Sequence, residues 1–351
     1  MPTENFFDHL LDENSDFQND QLIEDCMQRF DLDCDGFLNL RELCSLTDEL
    51  FSDENGTSYE FPVRMCAEIF YAFDADRDGK INIEDLKGFW FKVIAPVIKP
   101  TTALIAIDVQ NDFIDGSLAI RNCPAGQEGF EVVPVINNLL ETVPFDYVFY
   151  TYDWHPEDHV SFIDNVNLRN FHETSLIPQE KAKIFDTVIF KGPPAIEQKL
   201  WPRHCVQNSW GSELHPELKI ADNATFIYKG TCSDIDSYSA FWDNQKLSQT
   251  NLSDEMRSRG VTDILVTGLA TEYCVGYTAF HALEHGYRTI LIEDACRGVD
   301  LKDIEATKEK LLERHGVIVA SDKVKNMVLG RDRRHDLGYR TAMQAVTSNK
   351  Y

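Results

Sequence analysis

Ile264-Leu-Val-Thr-Gly-Leu-Ala-Thr-Glu-Tyr-Cys274-Val-Gly-Tyr-Thr-Ala-Phe-His-Ala-Leu-Glu284 joins two kinds of pattern within 21 residues. A short apolar run, Ile264–Thr267, has the length and β-branched content of a buried strand. After a glycine turn, Cys274–Glu284 carries apolar residues at helical spacing. The same unit recurs on both sides. Ala103–Ile107, Tyr147–Thr151, Phe226–Tyr228, Thr289–Ile292 and Val317–Ala320 are strand candidates. Glu131–Thr142, Ser253–Arg259 and Leu301–Arg314 are helix candidates. Repeated βα units predict an α/β fold, a mostly parallel sheet with helices on both faces. Residues 156–216 fit the repeat poorly and are expected to form long, partly irregular connections near the site.

The first hundred residues have another texture. They hold 23 Asp and Glu against 8 Lys and Arg, more than half of the chain's net charge of -26. Such asymmetry predicts a separate unit. Two loops there have the spacing of an EF-hand, which places oxygen ligands at positions 1, 3, 5, 7, 9 and 12 and glycine at 6. The first offers Asp31, Asp33, Asp35, the carbonyl of Phe37, Asn39 and Glu42 around Gly36. The second offers Asp74, Asp76, Asp78, the carbonyl of Lys80, Asn82 and Asp85 around Gly79. Asp85 is one methylene shorter than glutamate, so weaker calcium binding, or a shift toward magnesium, is expected there. Leu22, Cys26 and Phe30 enter the first loop; Ile69 and Phe73 enter the second; Leu86, Phe89, Trp90 and Val93 leave it. Leu38 and Ile81, at position 8 of each loop, are placed to pack the loops together. The segment resembles the EF-hand family, an all-α pair. Calcium is expected to stabilise it without switching the rest of the chain on.

The expected division is an EF-hand pair over 1–95, a linker over 96–102 broken by Pro96 and Pro100, an α/β domain over 103–345, and a loosely ordered tail over 346–351. Nine cysteines, an odd number without small-scaffold spacing, suggest reduced thiols and a cytoplasmic, or also nuclear, setting. The acidic charge argues against nucleic acid and anionic membrane as partners.

Four reactive residues follow predicted strands: Asp108, Asp153, Lys229 and Cys274. In a parallel sheet ligands bind beyond the carboxyl ends of the strands, so the fold gathers them. Cys274, at a strand-to-helix turn, is the nucleophile candidate. Lys229 is the cation expected to favour its thiolate, and Asp108 the acid and base. Amides of that turn are candidates for holding an oxyanion. Asp153, His155 and His204, with His159 nearby, are a ligand set for a divalent transition metal such as zinc, iron or manganese.

Asp108-Val-Gln110-Asn-Asp112-Phe113, Asp153-Trp-His155-Pro, Trp201-Pro-Arg-His204-Cys-Val, Lys229-Gly and Gly268-Leu-Ala-Thr-Glu-Tyr-Cys274-Val resemble, in order, the motifs of nicotinamidases within the isochorismatase-like cysteine hydrolases. The likeness covers about residues 101–325. With the acidic segment, the chain is similar to animal-type members carrying an EF-hand extension. The resemblance implies a three-layer αβα fold and an Asp108–Lys229–Cys274 triad. It implies a metal, zinc foremost, on Asp153, His155 and His204, with His159 a further ligand in some members, and that metal holding a pyridine nitrogen. It implies a cis peptide between Leu269 and Ala270, an oxyanion hole from the amides of Ala270 and Cys274, and Phe113 and Trp201 flanking an aromatic ring. The implied reaction converts nicotinamide to nicotinate and ammonia in NAD salvage, with similar small aromatic amides as further substrates. A homo-oligomer is compatible with this reading. Glu272 departs from the aspartate common in the family. Two alternatives stand beside this: an amidase for another small amide or carbamoyl compound, and a calcium-responsive binding protein with an inactive hydrolase domain. The metal motifs argue against a vinyl ether hydrolase.

Overall fold

The computed structural model describes residues 5–11, 16–192 and 194–347. Helices α1 (Asp20–Phe30) and α2 (Leu40–Leu50) flank the first acidic loop, and α3 (Val63–Phe73) and α4 (Ile83–Phe89) the second. Asn39 and Asn82 cap α2 and α4. Each accepts two backbone N–H bonds, while the carboxylate three residues on accepts from the cap's own N–H. These capping boxes satisfy donors that a helix start leaves unpaired. Gly36 and Gly79 take φ of +88° and +83°, a conformation that disfavours any side chain. Leu38 and Ile81 exchange two backbone hydrogen bonds of 2.9 Å, joining the loops as expected. Of the apolar positions read from sequence, Leu22 is half-buried and the others are buried.

The linker reading needs correction. The chain stays helical from α4 through a π-turn at Trp90–Ile94 into α5 (Ala95–Ile98), and Thr102 already begins a strand. The π-turn one residue before Pro96 widens the ladder where proline lacks a donor and its ring crowds the preceding turn, so the helix continues rather than ends.

Among the described residues eight strands follow: β1 (Thr102–Ile107), β2 (Tyr147–Asp153), β3 (Thr187–Phe190), β4 (Ile196–Lys199), β5 (Ala224–Lys229), β6 (Asp263–Leu269), β7 (Arg288–Arg297) and β8 (Val317–Val319). Six form one parallel sheet in the order β5-β2-β1-β6-β7-β8, while β3 and β4 make a separate antiparallel hairpin. That hairpin lies inside the stretch read as irregular. The helices are α6 (Asn111–Ile114), α7 (Val132–Thr142), α8 (Leu252–Ser258), α9 (Gly276–Glu284), α10 (Leu301–Glu313), α11 (Ser321–Val328) and α12 (His335–Thr347). Leu104 and Ala106 of β1 pack with Ile136 of α7 and Val324 of α11. Ala103, Ile105 and Ile107 pack with Met256 of α8, Ala279 of α9 and Leu311 of α10. Alternate residues of a buried strand thus serve opposite faces, which gives three layers.

The C-terminal reading also changes. Val346 and Thr347 belong to α12, and residues 348–351 lie outside the described set. Ala342 of α12 is part of the EF-hand apolar core, so that core draws on both sides of the α/β sheet in sequence. The two units meet at the amino ends of the strands. Buried Arg333 donates to the Leu50 carbonyl (2.6 Å) and Ser52 Oγ (2.7 Å), Tyr59 OH donates to Asp332 (2.6 Å), and Lys323 pairs with Glu54 (2.9 Å). Arg288, at the start of β7, pairs with Asp263, at the start of β6.

Candidate active site

The carboxyl ends of β1, β2, β5 and β6 deliver Asp108, Asp153, Lys229 and Cys274 to one place. Asp108 takes φ +47°, a turn held from both sides by Thr151. The Thr151 hydroxyl accepts the Asp108 N–H (3.0 Å) and donates to Asp108 Oδ1 (2.5 Å). Two further motif residues lock this corner. Gln110 donates to the Asp153 carbonyl (2.8 Å) and accepts the Asp153 N–H (2.9 Å). Asp112 Oδ2 accepts the Cys205 N–H (2.7 Å), which fixes the turn bearing His204.

Lys229 is fully buried among acids. Its Nζ lies 2.8 Å from Asp108 Oδ2, 2.5 Å from Asp153 Oδ1 and 3.2 Å from Cys274 Sγ. Burial works against its charge, but Asp108 and Asp153 outweigh that and hold it protonated. Cys274 sits in a π-turn, Thr271–Val275, directly before α9. Burial pushes the thiol well up, Lys229 opposes, and the Asp108 and Asp153 charges add to the rise. Asp108 is itself raised, by burial above all, which makes it a stronger proton acceptor than an ordinary carboxylate. The Leu269–Ala270 peptide is cis. Glu272 Oε1 accepts the N–H groups of Val299 and Asp300, each at 2.7 Å, and so ties the cysteine turn to the start of α10.

The histidine set adjoins this group through Asp153. Asp153 Oδ2 faces His155 Nε2 at 3.3 Å and His204 Nε2 at 3.7 Å. The Nδ1 of His155 donates to the Gly230 carbonyl (2.9 Å), and that of His204 to the Pro202 carbonyl (2.7 Å). Each Nε2 therefore points toward Asp153, the orientation a metal ligand would need. The ligand atoms lie within 4.8 Å of one another, so Asp153, His155 and His204 fit a divalent transition metal. His159 stacks on His155, ring centroids 4.0 Å apart. Its Nε2 is buried 4.0 Å from Asp236 Oδ1. It groups with His155 and Asp236 rather than with Asp153 and His204. Gly230, φ +64°, explains the glycine after Lys229: a Cβ there would come within 2.4 Å of the His155 ring.

Cys274, Asp153, His155 and His204 line one cavity. Phe113 and Trp201 line it, as do Ala270 and Cys274. Sequence reasoning missed Tyr238, Tyr273 and Asp236 in the same wall. Tyr273 precedes Cys274 and was within reach of the motif. Asp236 and Tyr238 had no pattern to mark them. The hairpin β3–β4 supports this wall. Gln198 donates to Asp236 Oδ2 (2.8 Å), and Lys199 donates to the Tyr273 hydroxyl (2.7 Å).

Residues 102–323 match the isochorismatase domain family. The chain belongs to the isochorismatase family. An EF-hand match covers residues 67–90, the second helix–loop–helix. Within the isochorismatase family, Escherichia coli nicotinamidase is 36% identical over 206 residues, 58% of this chain and 86% of that protein. A nicotinamidase–pyrazinamidase structure from Acinetobacter baumanii has a TM-score of 0.54 at 34% identity, covering 64% of this chain and 98% of that one. An L. infantum protein solved in complex with nicotinate has a TM-score of 0.51 at 30% identity, covering 64% of this chain and 94% of that one.

Proposed function

We propose that this isochorismatase-family protein is a nicotinamidase, hydrolysing nicotinamide to nicotinate and ammonia in NAD salvage. The single observation that carries the mechanism is Lys229 Nζ, within 3.2 Å of Cys274 Sγ and 2.8 Å of Asp108, with Cys274 itself lining an aromatic-walled cavity. The pyridine ring enters between Phe113 and Trp201. Asp108 takes the thiol proton as the sulfur attacks the carboxamide carbon, and Lys229 balances the charge that passes between them. The amides of Ala270 and Cys274 receive the developing oxyanion. Asp108 returns its proton to the departing ammonia, leaving a thioester on Cys274. Water attacks the thioester, Asp108 accepts its proton, and nicotinate leaves as the thiol re-forms. A metal on Asp153, His155 and His204, with zinc first in preference for this donor set, would supply a Lewis-acid anchor for the ring nitrogen. Small aromatic amides such as pyrazinamide fit the same cavity chemistry.

In the N-terminal unit we assign calcium to the first loop, where Asp31, Asp33 and Glu42 offer oxygens within 4.8 Å of one another. In the second loop the corresponding group is Asp74, Asp76 and Asp78, without Asp85, in keeping with the shorter side chain.

The test is ammonia release over a panel of amides, nicotinamide and pyrazinamide included, for the wild type and Cys274→Ala. Turnover falls by at least about 1,000-fold in the variant, while calorimetry still detects nicotinamide binding. Substantial ammonia release by the variant removes the nucleophile assignment. A wild type that is silent on nicotinamide but active on another amide moves the reading to a sister amidase.

A further inference from the structure

Two of the nine cysteines are neither near the cavity nor isolated. Cys44 lies on α2 and Cys66 on α3, and their sulfurs are 2.7 Å apart. A disulfide brings sulfurs to about 2.05 Å, so bond formation needs a further approach of under ~1 Å. The pair is asymmetric. Cys44 is half-buried and reachable from solvent, whereas Cys66 is buried beside Thr47, whose hydroxyl lies 3.8 Å from the Cys66 sulfur. Burial and the Cys44 sulfur push the Cys66 thiol up, so the accessible Cys44 is the one poised to attack first. By contrast, Cys34 and Cys232 are exposed, and no second sulfur is placed beside either of them among the described hydrogen-bond contacts.

The position of the pair gives the bond a consequence. Cys44 is two residues beyond Glu42, the last ligand position of the first loop, on the helix that leaves it. Cys66 stands on the helix that enters the second loop at Asp74. These helices pack directly, α2 leaving the first hand and α3 entering the second, so a bond between them would tie the two hands together.

We infer that Cys44 and Cys66 form a reversible dithiol–disulfide site, oxidised by a low-molecular-weight disulfide such as glutathione disulfide, that fastens α2 to α3. Cys44 loses its proton to solvent and its sulfur attacks one sulfur of glutathione disulfide, releasing one glutathione thiolate and leaving a mixed disulfide. Cys66 then gives up its proton and attacks the Cys44 sulfur, releasing the second glutathione. Two protein thiols are oxidised, one glutathione disulfide is reduced to two glutathiones, and the protein loses two hydrogens. The cross-link closes a segment of 22 residues and removes conformations from the unfolded unit. Nothing in it depends on the catalytic reading.

The experiment uses the full chain, equilibrated in glutathione buffers from fully reduced to fully oxidised, quenched in acid, alkylated and digested without reductant for mass spectrometry. A Cys44–Cys66 cross-linked peptide, abolished by reductant and missing from Cys44→Ala and Cys66→Ala, is expected. Cys66→Ala should instead carry a single glutathione on Cys44. In a second arm, protease cuts the N-terminal unit of the chelated, oxidised wild type at least about ten-fold more slowly than that of oxidised Cys44→Ala. Glutathione adducts on both cysteines with no cross-link, or a cross-link to other residues, overturn the site. The cross-link with equal digestion rates overturns the fastening.

Discussion

Lys229 Nζ sits 2.5 Å from Asp153 Oδ1, and this contact joins two groups of residues that the sequence offers separately. Asp153 divides its oxygens between them, Oδ1 to the lysine beside the thiol and Oδ2 to the two histidines. Burial would raise its pKa, but Lys229 and His155 outweigh that and hold it well below the usual carboxylate range. It stays an anion, as both a metal and a buried ammonium require.

Asp108→Asn separates two roles of one carboxylate. Turnover on nicotinamide should fall by about 100- to 10,000-fold, since the proton acceptor is gone. Yet the thiol should become easier to ionise, because the Asp108 charge is among the groups raising it. The pH profile of Cys274 alkylation by iodoacetamide is therefore expected to move to lower pH in a variant that has lost activity. A profile that moves up would show that Asp108 supports the thiolate.

Gly230→Ala tests the histidine set without removing a ligand. The new Cβ would meet the His155 ring at 2.4 Å and force its Nδ1 from the Gly230 carbonyl. A drop of about 10- to 100-fold in metal affinity is expected, measured by competition with a chromogenic chelator. Wild-type affinity in this variant would remove His155 from the centre.

Calcium removal should leave the chemistry nearly untouched. The EF-hand unit contacts the amino ends of the strands, and the candidate site lies at their carboxyl ends, about 20 Å away for a six-residue strand. Chelation is expected to lower the unfolding temperature while kcat/KM on nicotinamide stays within about two-fold. Saturating calcium at 100 times its Kd is worth about 2.7 kcal/mol to the folded unit. A large chelator-dependent loss of turnover, restored by calcium, would contradict this.

Gly338→Ala inverts a familiar rule. Alanine in a helix interior is ordinarily worth about 0.5–1 kcal/mol over glycine. In α12, however, the new Cβ would lie 2.1 Å from the ring of Phe51, itself wholly buried. Overpacking of this kind costs about 1–3 kcal/mol, so calorimetry should record a lower melting temperature. An increase would show that Phe51 can swing aside.

Most sheet strands were legible because a buried parallel strand is written as a short continuous apolar run; β5, an edge strand, exposes Phe226 and Tyr228 and was legible from its aromatic and β-branched residues instead. That Asp108, Asp153, Lys229, Cys274 and the histidines come together was legible because each stands just beyond a strand or in a dense local motif. The hairpin β3–β4 was not, since Ile196–Lys199 is short and mixes charge with apolar residues. Nor was the helix through Pro96, because a π-turn leaves no compositional mark. Asp236 escaped for another reason: its place in the cavity depends on Gln198, a partner that only the folded hairpin brings within 2.8 Å. The linkage of Lys229 to Asp153 belongs to the same class, set by the pairing of β2 with β5.

Ala342 in the EF-hand core has a bearing on how the chain matures. The helix that completes this first-made unit is synthesised only after the entire hydrolase sheet. The nascent N-terminal segment must therefore wait with part of its apolar surface uncovered until α12 arrives. Ribosome-bound intermediates cut short before that point would offer this surface to chaperones.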